Sequence, residues 1–124
     1  HRDDGAALGG DAERPIDGRE PVEILPALVA IPTPGHTKGH VVYLFRNEVL
    51  FTGDHLAFSP RRGHLVAFRD ACWWSWEEQI RSMERLLDFD FTLVLPGHGE
   101  RFRAASPAAM RREVERCVAW MKTR

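Results

Sequence analysis

The apolar positions of this chain change their spacing several times, and each change marks an element. Residues 1 to 20 (HRDDGAALGGDAERPIDGRE) hold no sustained period of either kind and are rich in Gly, Asp, Arg and Glu, which predicts a surface segment that builds no core. From Pro21 the apolar residues come in short runs, Val22 with Ile24 and Leu25, then Leu28 to Ile31, punctuated by Pro21, Pro26 and Pro32. Runs of that length between prolines suit strands, because a proline inside a helix removes a hydrogen bond and clashes with the preceding turn. Residues 34 to 40 (PGHTKGH) are too polar and glycine-rich for a packed element and predict a loop. Val41 to Phe45 and Val49 to Phe51 follow as two β-prone runs joined by Arg46-Asn47-Glu48, a hairpin whose second strand ends at Thr52-Gly53-Asp54-His55.

Beyond a loop at residues 59 to 64 and a short apolar stretch at 65 to 68, the period changes to that of a helix. Ser75-Trp76-Glu77-Glu78 has the form of a capping box, with Ser75 as N-cap and Glu78 reaching back. Ile80, Met83, Leu86 and Leu87 then form one apolar stripe. Phe91 to Leu95 reads as a buried strand closed by Pro96-Gly97, which delivers His98 at its carboxyl end. Ser106-Pro107 opens a last helix, with Met110, Val114, Cys117, Val118 and Met121 on its buried side. The pattern is that of an α/β protein.

Composition narrows the functional classes. Seventeen Lys and Arg against eighteen Asp and Glu leave a formal charge of −1, so no field of one sign exists to hold a nucleic acid or an anionic membrane. No apolar run approaches the roughly 20 residues that span a bilayer. Cys72 and Cys117 lie far apart without C-x-x-C spacing, which suits a reducing, cytoplasmic setting better than a disulfide framework. The expected partner is a small-molecule substrate. A first residue of His rather than Met leads us to expect that the gene product starts upstream.

Three polar residues share one placement: His36, Asp54 and His98 each follow a β-run within a glycine-bearing turn. Strand ends present side chains to a common edge, and imidazole and carboxylate are ordinary ligands for a divalent cation. The separations of 18 and 44 residues fix no local ligand motif, so spacing alone leaves a turn role open for each of the three.

The stretches TPGHTKGH (33 to 40), LFTGDHL (50 to 56) and LPGHGE (95 to 100), in that order, resemble the later motifs of the metallo-β-lactamase superfamily, and most closely its glyoxalase II-like branch. The resemblance covers residues 21 to 124. It implies an αβ/βα sandwich of which this chain is the C-terminal half, with a metal pair at the top of the inner sheets, two zinc ions first and iron or manganese as alternatives. It further implies that His36 binds the first metal, Asp54 bridges both and acts in catalysis, and His98 binds the second, with His40 holding the loop. The implied activity is hydrolysis of a small ester, thioester or lactone by metal-activated hydroxide. A mono-iron persulfide dioxygenase and a non-catalytic module of the same fold are the alternatives.

The resemblance also has a gap. The family's HxHxDH segment, which supplies four ligands, has no counterpart in residues 1 to 35; His1-Arg2-Asp3-Asp4 has the residue types but not the spacing. Each metal would then have two protein ligands where zinc catalysis ordinarily uses three. The expectation is a C-terminal part whose missing N-terminal half completes the site, the chain alone being inactive. Elsewhere, His55 and His64 are read as exposed or capping, Trp73, Trp74 and Trp76 as packing residues, and Arg61 and Arg62 as solvated surface.

Overall fold

The computed structural model describes residues 1–8 and 15–124. Its centre is a six-stranded sheet in the order β1-β2-β3-β4-β7-β8, with β1 (Val22–Leu25), β2 (Leu28–Pro32), β3 (Val41–Phe45), β4 (Val49–Gly53), β7 (Leu93–Pro96) and β8 (Phe102–Arg103). A separate hairpin pairs β5 (Ala57–Ser59) with β6 (His64–Val66). All neighbours in the large sheet are antiparallel except β4 and β7. That parallel pair needs a crossover, and the β5–β6 hairpin and α2 (Trp76–Arg85) supply it.

The expected hairpin forms with Tyr43 opposite Phe51 and Phe45 opposite Val49. Arg46 and Asn47 turn it with positive φ of 54° and 52°, a conformation Asn tolerates better than most side chains. The stretch at 57 to 66, expected as loop and apolar run, instead closes as β5 and β6, with Gly63 supplying a positive φ at the turn.

Both helix starts are where their caps predict. Ser75 accepts from the Glu78 amide and Ser106 from the Ala109 amide. The capping box at Ser75 is only half built. The Ser75 amide donates to the Gly35 carbonyl, and the Glu78 carboxylate turns to Arg81 instead. The terminal helix α3 (Pro107–Met121) buries the expected stripe of Met110, Val114, Cys117, Val118 and Met121.

These stripes cover one face of the sheet. Ile31, Val42, Leu44, Leu50 and Val94 meet Met83, Leu86, Met110, Val114 and Met121 in a single core. The alternate residues of the same strands point to the other face, among them Tyr43, Phe45, Val49, Leu93 and Leu95, which are half-buried, and Phe51, which is exposed.

The N-terminal segment departs from expectation. Arg2–Leu8 is a short helix, α1, with Asp3 and Asp4 in its first turn, where carboxylates complement the exposed amides. The surface segment expected over 1 to 20 is therefore partly helical, and its residues 9 to 14 lie outside the described residues. No helix among the described residues is long and apolar enough to cross a membrane.

Candidate metal centre

The structure brings all three candidate residues together at one end of the sheet, and backbone geometry explains how. Asp54 follows β4 and His98 follows β7, neighbouring parallel strands whose carboxyl ends lie side by side. Their turns are locked to each other, since the Gly97 amide donates to the Gly53 carbonyl at 2.8 Å. A Cβ on Gly97 would stand in van der Waals contact with the Gly53 backbone at 3.4 Å, a measure of how closely the two turns approach. Gly53 has φ of 52° where the strand pairing shifts register, which swings Asp54 out of the ladder.

His36 arrives from the loop between β2 and β3, and that loop is tied down from three sides. The Gly35 carbonyl accepts from the Ser75 amide at 3.0 Å and from Cys72 Sγ at 3.2 Å, and the Trp73 amide donates to the His36 carbonyl at 3.0 Å. Ser82 Oγ on α2 donates to the Pro34 carbonyl at 2.7 Å. Asp4 on α1 accepts from Thr37 Oγ1 at 2.6 Å and from the Gly39 amide at 2.8 Å. The imidazole of His36 is itself buried, with the Trp73 ring 5.2 Å away and the His40 ring edge-on at 5.7 Å.

At the centre, Asp54 serves both histidines with different oxygens. Oδ2 lies 3.4 Å from His36 Nε2, and Oδ1 lies 2.6 Å from His98 Nδ1. The His98 hydrogen bond, countered in part by burial, holds the Asp54 carboxyl below its ordinary pKa. It is therefore an anion at neutral pH. Two donors bound to one tetrahedral ion at about 2.0–2.1 Å stand roughly 3.3 Å apart, so the His36–Asp54 pair has the spacing of a ligand edge. The His98–Asp54 pair is a direct hydrogen bond, and its imidazole is 83% exposed. The three do not converge on one point: among the described residues no group of three or more His, Cys, Asp or Glu side chains closes around a single position. The donor types suit a divalent cation, and of the two pairs only His36–Asp54 has the spacing of a ligand edge.

Several supporting residues were not legible as such. Gln79 and Ser82 are buried on α2 among the apolar stripe, and each bonds a loop carbonyl at the site, Gln79 Nε2 to His55 and Ser82 to Pro34. A polar residue at a helical core position is the one signal that marks them, because an unsatisfied buried group is costly. His55, expected to be exposed or capping, is fully buried, with neither ring nitrogen hydrogen-bonded among the described residues and the His40 ring 5.9 Å away. His64 is also buried, its Nδ1 bonding the Leu65 carbonyl at 2.7 Å. Trp76 packs against the core as expected, whereas Trp73 is 79% exposed at the mouth of the site.

Burial, followed by the neighbouring His36, lowers the pKa of His40 from about 6.5 to about 4, and burial lowers that of His55 well below its ordinary value. Both are neutral in the folded chain at pH 7. As the pH falls below about 6.5 the unfolded chain takes up protons that the folded chain refuses, so stability drains away down to about pH 4. We expect His40 alone to cost the metal-free chain about 2 kcal/mol between pH 7 and pH 5, read as a drop in the urea midpoint at constant slope. A midpoint unchanged over that range would contradict a neutral buried His40.

The family model described as the metallo-beta-lactamase superfamily matches residues 4–98, from Asp4 on α1 to His98. "Uncharacterized protein YobT" of Bacillus subtilis is 38% identical, over 68% of this chain and 39% of its own length. The "Beta-lactamase-like protein 2 homolog" of Drosophila melanogaster is 34% identical, over 54% of this chain and 20% of its own. Among solved structures, the metallo-beta-lactamase family protein TTHA1429 from Thermus thermophilus superposes with a TM-score of 0.60 at 24% identity, covering 92% of this chain and 36% of that one. TTHA1623 in a di-iron-bound form gives a TM-score of 0.53 at 25% identity, covering 88% of this chain and 54% of that one. The chain thus spans less than two fifths of the length of the curated relatives it matches. Its fold, the order of its motifs and the family match together place the chain in the metallo-beta-lactamase superfamily.

Proposed function

We propose that this chain carries part of the metal centre of a hydrolase acting on a small ester, thioester or lactone, and that a complementary half-domain completes it. The family membership supports a metal-dependent, hydrolase-type activity; the ester class and zinc as the metal are our reading. One observation carries it: the two oxygens of Asp54 face the nitrogens of two histidines from different loops. A carboxylate so placed serves two cations from one short side chain. His36 and Asp54 would hold the first ion, and Asp54 and His98 the second.

Bound there, a divalent pair would lower the pKa of a coordinated water and polarise the carbonyl under attack. This chain's residues do the rest. The ties from Asp4, Ser82 and the Trp73 amide fix the His36 loop, so little reordering is needed on metal binding. Thr33 Oγ1 bonds His40 Nδ1 at 3.0 Å and so orients the ring whose edge supports His36.

One face of the sheet supports a second layer. Tyr43, Phe51 and Leu95 lie in one cross-strand row on the sheet face that the helices leave open, beside Phe45, Val49 and Leu93. Phe51 is exposed and the others are half-buried, a partly open apolar row that a further layer would cover. Sheet-on-sheet packing across it would form the other half of the sandwich. The unpaired Cys72 and Cys117 are consistent with a reducing, cytoplasmic location.

Metal analysis of the full-length gene product after metal-replete expression tests the reading. Two zinc-like ions per chain are expected. One iron would replace hydrolysis with oxygenase chemistry, and none would reduce the domain to a non-catalytic module.

A further inference from the structure

The strongest unassigned feature lies away from the Asp54 cluster, between the β5–β6 hairpin, residues 66 to 70 and the end of α3. A cleft of about 540 Å³ opens there, walled by Phe68 and Trp120 and lined by three arginines, Arg62, Arg69 and Arg124, with Asp70 as the lone acid. Among the described residues, none of these guanidiniums has an Asp or Glu carboxylate within 4.0 Å, although exposed arginines elsewhere do, as Arg81 does with Glu77 and Arg111 with Asp90. They are held together instead by aromatic rings and a carbonyl. Arg62 and Arg124 lie 5.2 and 4.8 Å from the centroid of the same Trp120 ring. Arg69 sits 5.5 Å from the Trp76 ring and donates from Nη1 to the Arg124 carbonyl at 2.8 Å. Trp120 adds a buried indole N–H with no hydrogen-bond partner among the described residues.

Three guanidiniums against the single side-chain carboxylate of Asp70 repel each other at one concavity. An oxyanion relieves that repulsion, because its oxygens accept from planar guanidinium forks. We propose that this cleft binds the phosphoryl or carboxylate group of a small molecule. Its volume falls in the range of small-ligand sites, whereas a nucleic acid requires an extended basic track that a chain of net charge −1 does not offer. Phe68 also ties the cleft to the rest of the molecule. Its ring edge would stand 3.9 Å from a Cβ at Gly99, the residue after His98, so one side chain separates the two sites. The inference does not rest on the hydrolase reading.

The test is a titration of the isotopically labelled chain with inorganic phosphate, and separately with succinate, at constant ionic strength. The readout is the indole N–H resonance of Trp120, assigned by its loss in Trp120→Phe. A saturable displacement is expected. Combining Arg62→Gln with Arg69→Gln should weaken it about tenfold or more, since charge-assisted bonds of about 1.5–3 kcal/mol are removed. Arg101→Gln with Arg103→Gln, which removes the same charge at the exposed β8 edge, should leave it within about twofold. Tighter phosphate binding identifies a phosphoryl ligand and tighter succinate binding a carboxylate, either of which supports the site. Displacement that never saturates, or equal weakening in both double variants, overturns it. Both cleft arginines are exposed, so the substitutions spare the core. Arg62→Lys, which keeps the charge and loses the fork, provides a milder variant with the same readout and should weaken binding less than Arg62→Gln.

Discussion

Gly35→Ala is expected to lower the melting temperature by more than about 10 °C, or to prevent folding altogether, as measured by thermal unfolding of the purified chain. A Cβ at this position would stand 2.4 Å from both Cα and Cβ of Gln79 and 2.7 Å from its backbone nitrogen. Those atoms belong to the first turns of α2 and have no rotamer by which to retreat. Relief requires the His36 loop and the helix to part, which would break the Ser75–Gly35 and Ser82–Pro34 bonds and uncover Gln79. Overpacking of a rigid site costs about 1–3 kcal/mol even when side chains can adjust, and here the obstacle is backbone. Gly63→Ala is the control. Its φ of 72° carries the strain of a left-handed alanine, about 1–2 kcal/mol, but a Cβ there meets nothing within 4 Å. A Gly35→Ala protein as stable as Gly63→Ala would show that the loop is not packed on α2 in this way.

Asp54→Ala in the full-length protein is expected to abolish most metal binding and to reduce turnover by about a thousandfold or more. One side chain faces both histidines, so its loss removes a donor from each end of the pair at once. Stabilisation by a metal in hydrolysis is worth several kcal/mol, which sets that magnitude. Near-normal turnover, or two ions retained per chain, would remove Asp54 from its bridging place. Circular dichroism should barely change, because the Asp54 side chain is partly exposed and the loops carrying its two histidines are held by bonds of their own, from Gly97 to Gly53 and from Ser75 and Ser82 to the His36 loop.

The sequence showed the parts of this site that follow from strand ends and left obscure those that follow from helix packing. His36, Asp54 and His98 announce themselves by standing after β-runs in glycine turns, and the caps at Ser75 and Ser106 are local signals that no tertiary contact overrode. Gln79, Ser82 and Asp4 carried no such mark. Their roles depend on which loop packs against α2 or α1, and a periodicity that scores polar residues as solvent-facing reads them the wrong way round. His55 misleads for the same reason, since a histidine beside a turn aspartate is ordinarily exposed. Glu78 is the converse case: a sound local motif whose acceptor role was made redundant when the Gly35 carbonyl took the Ser75 amide.

The parallel register that sets Gly53 against Pro96 has a kinetic consequence. Contacts between residues so distant in sequence form only after a long loop has closed, and they slow folding relative to hairpins. The β2–β3–β4 meander can assemble from neighbouring residues while the chain is still growing. The side chain of Asp54 then has no second histidine until the whole crossover has docked and β7 has been added. Cation capture across both ends of Asp54 would therefore report the last event of folding rather than seed it, and a chain stalled at the meander would show strand content with only the His36 end of the site in place.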